Sequence, residues 1–157
     1  MAATILPMAY GDKSTSPSLS DLGNVYFSGP NAFRLVQATA ALALTVQGKF
    51  VDETSATTLT YKTAALSGAT SAKPLGLCSS AQVSLAVGDF FLVQVQGVGT
   101  VTGANTVTVA TGVTTAAGGL VANVTGAFAA TVPPTIVGTA LATAAGATAT
   151  IRLQNLI

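Results

Sequence analysis

The sequence contains no histidine and no tryptophan, a single cysteine (Cys78), and only eleven charged side chains in 157 residues. Each scarcity removes a class of function. Without histidine there is no imidazole general base and no zinc site of the usual His/Cys kind. One cysteine cannot build a disulfide framework. Charged residues are 7% of the chain, against roughly 25% in an ordinary soluble domain. Six bases and five acids leave a net charge of +1 and no basic stripe to neutralise phosphates, so no nucleic-acid partner is expected.

Long apolar runs are missing as well. The stretch from Leu35 to Gln47 is bracketed by Arg34 and Lys49 and is too short to span a bilayer. The charge-free run from Phe90 to Ile151 is broken by Gly, Thr and Pro133-Pro134. Nine aromatics are too few for the girdles of a membrane barrel. The first ten residues, MAATILPMAY, lack a basic region and a long apolar core, so no secretion signal is expected. No membrane partner follows from this pattern.

What is present is small and β-branched. Ala (29) and Thr (24) make up a third of the chain. Leu, Ile, Val, Phe and Met together number 45, about 29%, above the roughly 20% below which chains fail to collapse. The length suits one domain. A surface of Ala, Thr, Ser, Gly and Val carries few charges to keep it solitary, which points to burial in an assembly.

Three zones are distinguishable. Residues 1–30 hold three of the six prolines and show no periodic apolar face, so they read as an extended N-terminal arm, mobile when alone. Within it, Ser16 to Asn24 reads as one helical turn capped by Ser16, with Pro17 first and Gly23 as stop. Residues 31–157 read as a β domain. In FRLVQA, Phe33 and Leu35 face one side and Arg34 and Val36 the other. Leu44, Val46 and Phe50 follow as inward candidates. Helix is a rival for residues 33–47, because Ala and Leu are strong helix formers; strand is preferred.

Further strands are expected over Thr57 to Ala64, in PLGLCSS, and in DFFLVQVQG, where Phe91, Val93 and Val95 alternate with Leu92, Gln94 and Gln96. Val87-Gly88-Asp89 marks the turn before that strand. Beyond residue 97, Val/Thr alternation favours strand, with Leu120 to Val124 and Thr148 to Leu153 as clear cases. The segments PLGLCSSAQVSLAVGDFFLVQV and TIVGTALATAAGATATIRLQ share a layout, with glycines at 76 and 88 in the first and 138 and 146 in the second. They predict two similar strand–loop–strand corners. The fold class is therefore all-β, a small barrel or sandwich of short strands.

Motifs for chemistry are weak. GVGTVTG (Gly97 to Gly103) is followed by Thr/Val strand and by no acid, so it reads as a flexible hairpin rather than a phosphate loop. Asp52-Glu53 lies in a stretch that reads as a solvated hairpin loop, where neighbouring side chains diverge. A calcium site needs more converging oxygens than this pair supplies. Asp89 is expected to bond backbone amides in its turn, and Cys78 to be a buried structural thiol. No enzyme activity, metal, cofactor or small-molecule substrate is expected.

The runs FRLVQATAALALTVQGKFV, PLGLC, VGDFFLVQVQGVGTV and IVGTALATAAGATATIRL together resemble the tailed-phage capsid cement (decoration) proteins. The likeness covers residues 33–157 in outline. The carrying features are the RLV-type entry strand, the Gly-Asp turn leading to Gln94-Val95-Gln96-Gly97, and the Ile136-Val137-Gly138 run before a final strand. The Ser/Pro-rich beginning and the Thr/Ala-rich stretch from 98 to 131 depart from that pattern. The resemblance implies a virion protein on the outer surface of a phage head, often a homotrimer, that clamps neighbouring subunits of the major capsid protein. An arm that orders on a partner could span the seam between subunits, and repetition over a shell would raise its effective affinity. Tyr10, Pro17, Leu19, Leu22, Tyr26 and Phe27 are the candidate partner-binding residues. The alternative is a receptor- or carbohydrate-binding β module of a virion or cell surface; such sites show exposed aromatics beside acids or amides, whereas the three tyrosines, Tyr10, Tyr26 and Tyr61, lie in separate zones.

Overall fold

A computed structural model describes residues 6–16, 21–53, 62–66, 74–102, 112–116, 120–123, 136–142, 148–154 and 156. Among these residues eleven strands run in chain order: β1 (Lys13–Ser14), β2 (Val25–Ser28), β3 (Asn31–Ala38), β4 (Phe50–Glu53), β5 (Lys62–Leu66), β6 (Pro74–Leu77), β7 (Phe90–Val101), β8 (Gly112–Ala116), β9 (Leu120–Asn123), β10 (Ile136–Ala140) and β11 (Ala149–Leu153). No α-helix occurs among the described residues, and the fold is all-β.

The strands hydrogen-bond in the order β2-β3-β5-β4-β6-β7-β11-β10-β8-β9, with β1 added to β7 and a further β3–β7 pairing. Every pairing is antiparallel except β3 with β5. The path from β3 through β5, β4 and β6 to β7 curls back on β3, yet two of its joints are slight. The β3–β5 joint has two residue pairs and the β6–β7 joint one, Leu77 with Gln94. The sheet is curled and is not closed into a barrel by full ladders.

The long strand β7 organises the molecule. Its first half pairs with β3, Val36 opposite Phe91 and Arg34 opposite Val93. Its second half pairs with β11, Gly97 opposite Leu153 and Val101 opposite Ala149. The change of partner falls at Gly97, whose φ is +105°. A Cβ there would sit on the Asn31 side chain. A residue with a side chain is strained in that backbone and also collides, so glycine lets the strand bend while Asn31 approaches. The segment 97–101 is thus strand, not the flexible hairpin that its glycines suggest, because β11 pairs along it.

Alternation in β3 and β7 sets the core. Val36, Ala38, Phe91, Val93 and Val95 point into one cluster with Leu42, Val46, Val51, Leu75, Cys78 and Leu85. Phe33, Leu35, Phe90 and Leu92 point the opposite way into a second cluster. A third forms around the later part of β7, from Phe50, Leu77, Val101, Val137, Ile151 and Leu153. Both sides of the sheet are therefore buried along the first half of β7.

Three local expectations change. Leu44 is exposed whereas Val46 and Phe50 are buried. Residues 44–46 form a 3-10 turn, in which side chains two apart diverge, unlike those of a strand. Of residues 33–47, read as strand in preference to helix, only 33–38 are strand; the chain then bends and enters the 3-10 turn at 44–46. Asp52 and Glu53 belong to β4 and not to a loop, because β4 pairs with β6 out to Asp52 opposite Pro74. The predicted strand at 57–64 is observed from Lys62, and its earlier residues lie outside the described ones. The two glycine-marked corners are present: β6 pairs with β7 and β10 with β11. At Gly76 and Gly138 an added Cβ would press on backbone carbonyls of the closing strand, Gln94 and Arg152 respectively.

Candidate functional site

The described part of the N-terminal segment lies against the domain. Leu6, Met8 and Tyr10 recur every second residue, the spacing that puts side chains on one side of an extended chain. They pack on Phe33, Leu35, Phe90 and Leu92 together with Leu22 and Tyr26. Fully burying such a side chain is worth about 1.5–3 kcal/mol, so leaving the four receiving residues bare would cost on the order of 10 kcal/mol. That approaches the stability of a whole domain. Residues read as an arm without its own apolar face thus cover one face of the sheet.

Polar contacts fix the same segment. The Tyr10 hydroxyl donates to the Leu77 carbonyl at 2.7 Å, and its ring lies 4.8 Å from that of Phe33. Burial, and then the neighbouring Cys78, push the Tyr10 phenol well above its ordinary range. The buried Gln82 amide donates to the carbonyls of Gly11 (3.1 Å) and Asp12 (3.3 Å), and the Val83 N–H donates to Gly11 at 3.0 Å. Strand β1 then adds to β7, Lys13 opposite Phe91.

The last clasp is ionic. Lys13 Nζ lies 2.8 Å from Asp89 Oδ2, which also accepts the Ala86 N–H at 2.7 Å. Asp89 bonds a backbone amide in its turn, as expected, and takes the lysine besides. The hydrogen bond from Lys13 first, and that from Ala86 next, hold its carboxyl below the usual range despite burial.

The six residues singled out as partner-binding are thereby divided. Tyr10, Leu22 and Tyr26 are brought together on the internal cluster. Phe27 is half exposed on β2, an end strand of the sheet order. Pro17 and Leu19 lie outside the described residues, as does Tyr61. Two of the tyrosines that a carbohydrate site would present are thus engaged in packing. The clasping residues Gln82 and Lys13 were not singled out by sequence reasoning. A signal existed for the packing itself: FFLV in β7 has no polar alternate, so both faces require cover.

Cys78 is fully buried and unpaired; burial alone pushes its thiol far up, the opposite of what a nucleophile needs. No cluster of His, Cys, Asp or Glu suited to a metal occurs among the described residues. Among the described residues, the exposed large apolar side chains are Phe27, Leu44, Val83, Val87, Val98 and Leu141. Leu44 and Val83 each lie two residues from the isolated Leu42–Leu85 bridge, which brings their two segments side by side.

No family model matches the sequence, and no curated protein matches it either. The fold is similar to a solved structure, the N base of head fiber gp8.5 in bacteriophage phi29. The TM-score is 0.53 at 13% identity, over 78% of this chain and 93% of that one. The all-β architecture of this chain is therefore shared with the base of a phage head fiber.

Proposed function

We propose that this chain is a structural protein of a phage virion, seated on the outer surface of the head as a decoration protein. The observation that carries the reading is the shared architecture with the head-fiber base, which extends over most of both chains. The composition supports it independently. After Asp89 the chain carries one charge, Arg152, so its later sequence has few charges to keep it solitary in water, which favours cover by neighbours. The function asked of such a protein is complementary surface repeated over a shell, which needs no reaction.

In this reading the partner is the major capsid protein, and the chain acts as a homotrimer. The apolar side chains available for contacts between copies include Leu44 and Val83. The N-terminal segment serves first as part of the fold, since Tyr10, Leu22 and Tyr26 are spent on the domain. Anchoring then falls to outward-facing groups such as Phe27.

The reading is tested on particles purified through a density gradient from a phage that encodes the chain. An antibody to the chain should label intact heads, and the chain should keep a constant ratio to the capsid subunit. Absence from the particles, or labelling only after heads are opened, would refute the assignment.

A further inference from the structure

The bend of β7 creates a second feature, independent of the N-terminal clasp. An open groove of about 480 Å³ is lined by Pro30, Asn31, Gln96, Gly97, Val98, Arg152 and Leu153. Its walls are the turn between β2 and β3, the bend itself, and the end of β11.

The polar groups of the groove are fixed in direction by a buried amide beneath it. Gln94 is buried, and its Nε2 donates to the Gln96 carbonyl (3.1 Å) and the Val98 carbonyl (3.1 Å). Backbone carbonyls only accept, so this end of the Gln94 side chain is its NH2. Asn31 Oδ1, 3.2 Å from the same nitrogen, shares one of its two protons as a third acceptor; an NH2 turned inward there would face another NH2, so Asn31 presents its oxygen inward and its own NH2 away. That NH2 has no acceptor among the described residues.

Arg152 supplies the charge. It is exposed and makes no ion pair among the described residues. No acid lines the groove, and none occurs anywhere after Asp89. The apolar remainder is Pro30, Leu153 and the half-exposed Val98. A cation, an oriented amide donor and an apolar ledge make a complement for a carboxylate carried beside an apolar group.

We propose that this groove is a docking site for an acidic protein segment, in which an Asp or Glu carboxylate meets Arg152 and the Asn31 amide while an adjacent apolar side chain rests on Val98. The geometry holds whether or not that segment belongs to a capsid subunit.

The test is an NMR titration of the full chain with two capped peptides, acetyl-Leu-Asp-Leu-amide and acetyl-Leu-Asn-Leu-amide. The Asp peptide should shift the amides of Gln96, Gly97, Val98 and Arg152 saturably, and the Asn peptide should bind about tenfold more weakly. Arg152→Gln should weaken the Asp peptide by about the same factor. Asn31→Asp keeps the acceptor that Gln94 needs but replaces the NH2 with a second carboxylate oxygen. It should retain the fold, read from the rest of the spectrum, and lose the peptide. Four outcomes overturn the proposal: equal binding of the two peptides, indifference to Arg152→Gln, tighter binding of inorganic phosphate than of the Asp peptide, or the same shifts arising from protein concentration alone.

Discussion

Asp89 shows how a single side chain joins two distant parts of the chain. Its carboxylate takes the Lys13 ammonium and the Ala86 amide on one oxygen, and so ties the N-terminal segment to the turn entering β7. The folded state lowers its pKa, so the unfolded chain binds the proton more readily. The resulting stabilisation is complete above the unfolded value of about 3.9 and is lost as the pH falls through the lower, folded value. Urea midpoints measured from pH 6 down to pH 2 should therefore fall more steeply in the native protein than in Asp89→Asn. Parallel curves would contradict the clasp. Tyr10 works at the same scale: its hydroxyl bond to Leu77 contributes about 1 kcal/mol, and its ring helps close the cluster around Phe33.

Among the elements, β7 and the segment that covers it matter most. Removing residues 1–16 would strip Leu6, Met8 and Tyr10 from Phe33, Leu35, Phe90 and Leu92, and remove β1 from β7. The truncated chain should show a large loss of stability, or aggregate, when followed by circular dichroism during urea unfolding. A truncation that unfolds at the native midpoint would mean that the covering face is dispensable.

Much of this was legible beforehand where the residue pattern is local. The alternation in FRLVQA and FFLVQV places Phe33 and Leu35 opposite Val36, and Phe91, Val93 and Val95 opposite Leu92 and Gln94. Gly88 before Asp89 marks its turn. What was not legible depends on distant partners. Gly97 and Gly99 look like loop residues until β11 pairs along them. Asp52 looks solvated until β6 extends beside it. Tyr10 and Tyr26 look free because the apolar face that receives them is 7 to 82 residues away in the chain. Leu44 was misplaced for a local reason, a 3-10 turn whose periodicity mimics neither neighbour.

For the whole molecule, the scarcity of charge acquires a place. Ten of the eleven charged residues lie at or before Asp89, and the ion pair between Lys13 and Asp89 fastens the N-terminal segment. The strands after β7 carry Arg152 alone. A protein with so neutral a later half gains solubility by covering it, which is the physical ground for proposing an assembly. Light scattering on the purified chain should give the mass of three copies at micromolar concentration. A strict monomer would remove the trimer from the account while leaving the virion assignment standing.

The most direct test of that assignment is near-atomic imaging of purified particles from a phage that encodes the chain. The account predicts density for this all-β unit outside the shell, in contact with capsid subunits. Finding the chain inside the head, in the tail only, or nowhere on the particle would contradict it.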